Sequence, residues 1–382
     1  MNQNRESRIF VIGFLGFLAA ASVWSAVIPK QSFSASENRY LQQKPEFTIE
    51  GLLDGSFGRT YETYLSDQFP ARNAWIGMKV YAERLQGKKD VNGVYFGEDD
   101  YLIEKFDTED IEGELADKNR ERLETFVARA RDALGEDHVR VMLVPTASQI
   151  LTEKLPLLAA PYDQAQVSET LMADLGGEVV IPIEEVLRAH REEAIFYRTD
   201  HHWTALGAYY GYRAWTASMG LTPWEPKDFE IHTVSEDFLG TIYSKVNIAH
   251  PPDSIQLYVP KVPTHYEIYY DASSISAPMY RYQALETKDQ YAVYLDGNHG
   301  LTEIDNAGMT EGSDRKLLII KDSFAHSFAP FAANHFSETY LIDLRYFNQN
   351  PAQFMQEKGI TDLLILYQIP GFAREKTVSK IL

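Results

Sequence analysis

The longest feature of the hydropathy pattern is an uncharged run near the N-terminus. Residues 9–28 carry only apolar or small side chains, with Arg5 and Arg8 before the run and Lys30 after it. Twenty such residues can span a bilayer as a helix, and the basic residues predict that the N-terminal end stays in the cytoplasm. We therefore predict that residues 1–30 form a cytoplasmic stub and an uncleaved transmembrane anchor. A cleaved signal peptide is the alternative, although the run is longer than the usual apolar core of one.

A polar segment and a short set of predicted elements follow the anchor and form a lead-in over residues 31–110. Residues 31–55 are polar and are interrupted by Pro45 and Gly51, which predicts an extended linker. The spacing of apolar residues then predicts helices at 58–68 and 72–85 and a β-hairpin at 91–103 that turns at 97–100.

Strand-like and helix-like patterns alternate over most of the remaining chain. Predicted strands lie at 139–144, 178–181, 316–320, 338–343 and 363–367. Predicted helices lie at 109–134, 164–175, 183–190, 200–219, 324–335 and 351–358. This alternation indicates an α/β fold in which helices cover both faces of a parallel sheet. We therefore predict a three-layer α/β/α domain over residues 111–382.

The alternation is interrupted between residues 220 and 312. Short aromatic or β-branched runs, separated by turns, lie at 229–234, 255–259, 266–270, 279–284 and 290–295. Because such runs are typical of strands, we predict an antiparallel β insertion at 220–312.

Composition narrows the classes of function. The chain of 382 residues is 45% hydrophobic, which is ample for a large core, and its formal net charge is -19. So acidic a chain argues against a nucleic-acid partner, since phosphate binding requires a basic face. The absence of cysteine excludes disulfides, thiolate metal ligands and a cysteine nucleophile.

Two short polar segments carry the candidate chemistry. Asp200 and His202 are two residues apart, and Ser323 follows the predicted strand at 316–320 and precedes a predicted helix. In open α/β sheets, ligands bind at the carboxyl ends of the strands. An acid that orients an imidazole, which takes a proton from a hydroxyl, makes a Ser-His-Asp nucleophilic site. The three residues are therefore candidates for such a site.

Simpler roles for these residues stay open at this point. Asp322 or Ser323 would serve equally well as the N-cap of the helix that follows. The adjacent His201 and His202 are also a possible metal site, but no further ligand lies at a matching spacing, so we predict no metal. A purely structural role for the histidines is the third alternative.

The sequence Thr-Asp-His-His-Trp-Thr at 199–204 resembles the signature of the DHHW proteins. These are bacterial surface proteins akin to the periplasmic alginate O-acetyltransferases, in the SGNH-hydrolase-like superfamily. Further blocks that resemble those of the family lie at Glu37–Leu41, Asp67–Arg72, Asn92–Gly97, Val144–Thr146, Lys321–Phe324 and Asp343–Tyr346. The resemblance covers most of the chain beyond the anchor. It implies an SGNH-hydrolase-like domain with a catalytic triad of Asp200, His202 and Ser323.

The order of the blocks departs from that of ordinary SGNH esterases. In those enzymes the serine block comes first and an Asp-x-x-His block last, whereas here Asp-x-His precedes the serine, as in the alginate acetyltransferases. Separate glycine and asparagine blocks are not evident. We predict that Gly297 and Asn298 supply oxyanion donors and that Arg345 binds substrate. A tight turn and a surface salt bridge are the simpler interpretations of these residues.

The resemblance and the residues together predict an anchored extracytoplasmic O-acetyltransferase that acts on a cell-surface polysaccharide. Ser323 would take the acyl group, His202 would act as base and then as acid, and Asp200 would orient His202. No cofactor is predicted. A membrane-bound O-acyltransferase partner that supplies the acyl group is implied by the family alone. The alternatives are a carbohydrate esterase with the same triad and a non-catalytic module that binds glycan.

Overall fold

The computed structural model describes residues 3–34, 39–308 and 314–382. Glu37 and Asn38 of the first family-like block lie outside the described residues, as does the end of the predicted insertion at 309–312. The chain divides into two compact units. One contains the residues up to Gly87 together with Ser244–Ala249, and the other contains Lys88–Tyr243 and His250–Leu382. The domain boundary drawn from the sequence at residues 110 and 111 stays a prediction.

The first unit is built mainly from helices. Its elements, in chain order, are α1 (Gln3–Val27), β1 (Phe33–Ser34), β2 (Arg39–Tyr40), α2 (Ile49–Leu53), α3 (Ser56–Asp67) and α4 (Arg72–Leu85). The stretch Ser7–Val27 is long and apolar enough to cross a membrane, and a signal sequence would satisfy the same criteria. The helices predicted at 58–68 and 72–85 are confirmed, whereas the predicted linker contains the paired strands β1 and β2 and the short helix α2.

One buried carboxylate joins two family-like blocks within this unit. Asp67 accepts two hydrogen bonds from the Arg39 guanidinium, at 3.0 and 2.6 Å, and a third from the Gln42 N–H at 2.8 Å. The bonds from Arg39 hold the pKa of Asp67 below its usual value. The charged pair therefore fixes the strand that carries Arg39 against the end of α3.

The second unit contains the remaining elements. Its first half comprises β3 (Asp90–Val91), β4 (Val94–Phe96), β5 (Leu102–Glu104), α5 (Thr108–Ile111), α6 (Glu114–Leu134), β6 (Val139–Val144), α7 (Ala147–Ile150), α8 (Ala165–Leu175), α9 (Ile183–Ala189) and α10 (Ala205–Ser218). Its second half comprises β7 (Phe229–Phe238), α11 (Thr241–Val246, which continues into the first unit), β8 (Asp253–Pro260), β9 (Tyr266–Tyr270), β10 (Leu301–Asn306), β11 (Lys316–Lys321), α12 (Ala325–Ala332), β12 (Glu338–Ile342), α13 (Pro351–Lys358), β13 (Asp362–Gln368) and α14 (Ile369–Arg374).

A six-stranded mixed sheet lies at the centre of the second unit. Its strand order is β6-β13-β11-β12-β10-β9. The first four strands are parallel to one another, while β10 runs antiparallel to β12, and β9 antiparallel to β10. The prediction of a parallel sheet is therefore confirmed for the four strands predicted at 139–144, 316–320, 338–343 and 363–367. The two antiparallel strands come from the region predicted as an insertion, and they extend the central sheet instead of forming a separate one.

The other predictions for residues 220–312 are confirmed in part. Strands β7 and β8 contain the runs predicted at 229–234 and 255–259, and among the described residues they pair antiparallel with each other alone. The runs at 279–284 and 290–295 contain 3-10 helices at Tyr282–Glu286 and Gln290–Val293 in place of strands. Tyr291 and Tyr294 of the second run are buried, whereas Tyr282 of the first is exposed. A short aromatic run does not by itself distinguish a strand from a tight helical turn. The strand predicted at 178–181 is reduced to a single bridge between Val180 and Val141.

The residues of the parallel strands are buried on both faces of the sheet. In β11, Leu317 and Ile319 belong to one hydrophobic cluster, and Leu318 and Ile320 belong to another. Successive side chains of a strand point to opposite faces, which explains the nearly continuous apolar sequence. All four parallel strands therefore present their carboxyl ends at one edge of the sheet, and Ser323 follows β11 at that edge.

Candidate active site

Ser323 lies in the turn between β11 and α12. The Asp322 carboxylate accepts hydrogen bonds from the N–H groups of Phe324, at 2.9 Å, and Gln368, at 2.8 Å. Asp322 thus holds the turn against the end of β13. The Ser323 hydroxyl makes a hydrogen bond of 2.7 Å with Nε2 of His202, 121 residues earlier in the chain. Of the two capping candidates, Asp322 is the one that bonds the backbone at the start of the helix.

The segment that carries Asp200 and His202 precedes α10 and is not part of it. The helix begins at Ala205, and Thr204 caps it by accepting a hydrogen bond from the Gly207 N–H. The prediction that the segment opens the helix was wrong by about one turn. An extended Thr204 leaves the preceding residues free of helical geometry, which allows the Asp200 carboxylate to reach the imidazole two residues later.

The Asp200 carboxylate is hydrogen-bonded on both oxygens. Oδ1 accepts from the backbone N–H of His202 at 3.1 Å and lies 2.6 Å from His202 Nδ1. Oδ2 accepts from the N–H of Thr241 at 2.7 Å and from its hydroxyl at 2.9 Å. A carboxylate with four donors is favoured in its ionised form. It also fixes the His202 tautomer with hydrogen on Nδ1, so that Nε2 faces Ser323 as an acceptor.

Burial and charge shift both titratable groups. The side chains of Asp200 and His202 are 2% and 6% exposed. Burial opposes ionisation of Asp200, but the neighbouring histidines and the hydrogen bonds hold its pKa well below its usual value. Burial lowers the pKa of His202 to about 4, and His201 acts in the same direction, while Asp200 opposes the shift. His202 is therefore neutral near pH 7 and able to accept a proton.

Tyr291 packs on His202 and was not predicted to be part of the site. Its ring stacks on the imidazole with a centroid separation of 3.9 Å and an interplanar angle of 9°. Its hydroxyl donates to the Ser323 carbonyl at 3.3 Å and lies 3.0 Å from Ser327 Oγ. Tyr291 thus contacts both the imidazole and the backbone of the serine turn. Its own sequence context is one more aromatic run and contains no signal of this role.

Gly240 and Thr241 complete the surroundings of Asp200. A Cβ atom at position 240 would lie 2.3 Å from the Asp200 Cβ and 2.4 Å from Oδ2, so the site requires glycine there. Thr199 is held in turn by Asp253, which accepts from its N–H at 2.8 Å and its hydroxyl at 2.6 Å. These supporting residues lie 40 to 54 positions away in sequence, and no local pattern points to them.

His201 has a different environment from His202. Its side chain is 27% exposed, and its Nδ1 lies 2.7 Å from the Thr241 hydroxyl. Together Asp200, His201 and His202 place three metal-ligand atoms within 4.8 Å of one another. A closed zinc site needs four ligands, and both ring nitrogens of His202 already take part in hydrogen bonds. The geometry therefore favours the hydrogen-bonded arrangement over a metal site.

The other predicted site residues make hydrogen bonds to partners outside the triad. The Arg345 guanidinium donates to the Asp343 carboxylate at 2.8 and 2.6 Å, and to Asn298 Oδ1 at 3.1 Å. Gly297 has a φ of 79° and donates to the Tyr294 carbonyl in a tight turn. The structure thus brings Arg345 and Asn298 together, and it brings Asp200, His202 and Ser323 together. The roles of Gly297, Asn298 and Arg345 in binding stay predictions.

The α/β fold and the Asp-His-His-Trp segment agree with the family that the sequence resembles. The model of the DHHW protein family matches residues 128–342, a range that contains Asp200, His202 and Ser323 but ends before Arg345. The chain belongs to the DHHW family, which confirms the resemblance.

Three individual relatives share between 19% and 28% of their aligned residues with this chain. A probable alginate O-acetylase AlgJ of Pseudomonas syringae pv. tomato is 28% identical over 221 residues, which cover 53% of this chain and 50% of that protein. The chain thus matches about half the length of that relative. A DHHW family protein of Eubacterium siraeum shares 25% identity and superposes with a TM-score of 0.63 over 76% of this chain and 95% of that one. Bacillus cereus PatB1, at 19% identity, superposes with a TM-score of 0.59 over 73% of this chain and 97% of its own.

Proposed function

We propose that this protein is an O-acetyltransferase that acts on a polysaccharide outside the cytoplasm, with Ser323 as nucleophile, His202 as base and Asp200 as the residue that orients His202. One observation carries the proposal: the buried His202 ring bonds Asp200 through Nδ1 and Ser323 through Nε2. The names of the AlgJ relatives as probable alginate O-acetylases support the same class of reaction.

The first half of the reaction forms an acyl-enzyme. Ser323 Oγ attacks the carbonyl carbon of the acyl donor while its proton moves to His202 Nε2. Asp200 stabilises the imidazolium that results. The negative charge on the carbonyl oxygen requires hydrogen-bond donors, and the Ser323 N–H is one candidate. Of the predicted pair Gly297 and Asn298, Asn298 stays a candidate, because the Gly297 N–H bonds the Tyr294 carbonyl. The intermediate collapses when the leaving group departs with the proton from His202, which leaves an ester on Ser323.

The second half transfers the acyl group to the polysaccharide. A sugar hydroxyl gives its proton to His202 Nε2 and attacks the carbonyl carbon of the Ser323 ester. Collapse of the second intermediate releases the acetylated sugar, and the proton on His202 returns to Ser323 Oγ. No cofactor takes part in these steps. Water in place of the sugar hydroxyl would make the protein a carbohydrate esterase.

The proposal extends to the architecture around the site. We take residues 111–382 as a three-layer SGNH-hydrolase-like domain, because the serine follows a parallel strand at the carboxyl edge of the sheet. A membrane-bound O-acyltransferase partner would supply the acetyl group. The apolar helix α1 would hold the domain at the membrane, close to such a partner.

An acyl-enzyme experiment tests the function. The protein without its apolar helix is incubated with an aryl acetate, quenched in acid, digested and analysed by mass spectrometry. We expect an added acetyl group on the peptide that contains Ser323. Transfer to an oligosaccharide identifies the transferase, and release of acetate alone identifies the esterase. A folded protein that forms no ester at Ser323 and binds glycan without modifying it would be a binding module.

The pH dependence of the first half-reaction follows from the pKa of His202. The base must be neutral to accept the serine proton, and burial lowers its pKa to about 4 from the usual 6.5. The neutral form therefore persists below pH 6.5, and we expect the acid limb of kcat/KM for an aryl acetate to have its midpoint well below that value. A midpoint at or above pH 6.5 would contradict the buried, neutral imidazole. Return of each sample to neutral pH controls for acid unfolding.

The topology of the chain gives a further prediction. Because Arg8 precedes the uncharged stretch to Val27, we expect one membrane crossing with the bulk of the chain outside. Protease added to intact protoplasts should digest the chain beyond about residue 30. Sequencing the N-terminus of the mature protein separates an anchor from a cleaved signal peptide. Full protection of the chain from protease would disprove the orientation.

A further inference from the structure

The hydrogen bonds around Thr241 fix the tautomer of His201. In all four hydrogen bonds to the Asp200 carboxylate the partner is the donor, because an ionised carboxylate can only accept. The single hydroxyl hydrogen of Thr241 is therefore used on Asp200 Oδ2, at 2.9 Å. The same hydroxyl lies 2.7 Å from His201 Nδ1, so it can only accept there. Nδ1 of His201 therefore carries a hydrogen, and in the corresponding tautomer Nε2 is the acceptor.

The imidazole rings of His201 and His202 lie side by side. Their ring centroids are 3.9 Å apart with an interplanar angle of 37°. Both Nδ1 atoms are close to Asp200 Oδ1, at 2.6 Å for His202 and 3.7 Å for His201. The two rings therefore lie side by side, each with its Nδ1 on the side of Asp200. Both rings also approach Phe324, the residue after the nucleophile, with centroid separations of 5.2 and 6.2 Å.

The two Nε2 atoms differ in what they contact. Nε2 of His202 bonds the Ser323 hydroxyl. Within the described part of the chain, Nε2 of His201 has no hydrogen-bond partner, and it is not among the buried polar atoms that lack one. With the side chain 27% exposed, this nitrogen is an acceptor open to solvent, on the ring adjacent to the one that bonds Ser323. The tautomer that Thr241 maintains thus presents an acceptor to any hydrogen-bond donor that binds there.

We propose that His201 Nε2 binds a hydroxyl of the accepting sugar adjacent to the one that is acetylated. The inference rests on the proposed acetyl transfer and names the class of acceptor: a sugar unit with two neighbouring free hydroxyls. One hydroxyl donates to His202 Nε2 and attacks the ester on Ser323. Its neighbour donates to His201 Nε2 and stays unmodified in that turnover. Thr241 acts through His201 as a positioning residue.

The test compares two acceptors and measures the two half-reactions separately. One acceptor is a methyl pyranoside with neighbouring free hydroxyls, and the other is the same sugar with one of the pair converted to a methyl ether. We expect wild-type protein to acetylate the diol about tenfold faster, the scale of one hydrogen bond. The first half-reaction is measured alone with an aryl acetate, because the phenol is released as the acyl-enzyme forms.

A matched pair of variants isolates the outer nitrogen. His201→Asn retains a polar group at the position of Nδ1, beside Thr241, and removes Nε2, whereas His201→Gln extends a polar group to the position of Nε2. We expect His201→Asn to lose the preference for the diol, with a smaller change in acyl-enzyme formation, and His201→Gln to recover part of the preference. Thermal melts establish that both variants fold.

Two results would overturn the inference. Either His201→Asn keeps the full preference for the diol, or it loses acyl-enzyme formation to the same extent as transfer, which would place His201 in support of the triad. Failure of the proposed function looks different, because wild-type protein would then form no ester at Ser323. An ester at Ser323 that only water removes would leave the triad in place and exclude the sugar-binding role of His201.

Discussion

Replacing Ser323 by alanine should abolish acyl transfer while leaving the protein folded. The substitution removes the oxygen that carries the acyl group in the proposed mechanism, and the methyl group of alanine cannot replace a covalent acceptor. We expect a loss on the order of 10⁴-fold or more in acyl transfer and in aryl acetate turnover. The cost in stability is one hydrogen bond to His202, about 1 kcal/mol, because Asp322 holds the start of the helix.

Ser337→Ala is the matched control for this variant. Ser337 is also half-buried, and its hydroxyl makes one hydrogen bond, to the Arg315 carbonyl at 2.9 Å. It precedes β12 and so lies near the opposite edge of the sheet from Ser323. Both variants should melt within a few degrees of wild type, and only Ser323→Ala should lose activity. Wild-type turnover by folded Ser323→Ala would show that this hydroxyl is structural, and the protein would then be a binding module.

Replacing Asp200 by asparagine should cost on the order of 10³- to 10⁴-fold in activity. Asparagine has the same shape but only one acceptor oxygen, so its NH₂ group must face either the two donors of His202 or the two donors of Thr241. An NH₂ group that faces His202 would bond the hydrogen-free form of Nδ1 and place hydrogen on Nε2, where it could not accept the serine proton. Turnover of an aryl acetate measures the loss.

A buried carboxylate far from Ser323 separates this effect from simple destabilisation. Asp362 is also fully buried and accepts hydrogen bonds from Arg315, including one of 3.0 Å from Nε, and from Thr361 at 2.6 Å. It begins β13, at the opposite edge of the sheet. Asp362→Asn should lower the free energy of unfolding by about 1–3 kcal/mol and keep the activity of the folded fraction. Equal loss of activity in both variants would contradict the role of Asp200.

The sequence predicted the elements whose patterns are repeated over many residues. Strand β6 and helix α13 have the predicted bounds, and β11 and β13 differ from theirs by a single residue at one or both ends. A strand that is buried on both faces needs an apolar side chain at nearly every position. The continuous apolar run of β11 therefore indicates both the strand and its central place in the sheet. The Ser323 turn was predictable for this reason, since it follows the clearest strand in the chain.

Other features depend on contacts that no local pattern records. Tyr291 lies in an aromatic run that resembles a strand, and only the fold places its ring on His202. Thr241 bonds Asp200 across 41 positions. A strand was predicted at 266–270 and none at 301–306, and it is the tertiary pairing of β10 with β12 and with β9 that places both strands in the central sheet. The spacing of residues within one segment cannot indicate which distant segment will contact it in the folded protein.

The position of β13 in the sheet affects how the protein can fold. This last strand lies between β6 and β11, and it pairs with residues more than two hundred positions earlier, as in Leu363 with Val139. Folding rates fall as contacts join more distant parts of a chain. A chain that emerges N-terminus first would hold two unpaired strand edges until β13 arrives, and such edges promote aggregation. Correct folding would therefore depend on keeping the growing chain unfolded, or chaperoned, until β13 is available.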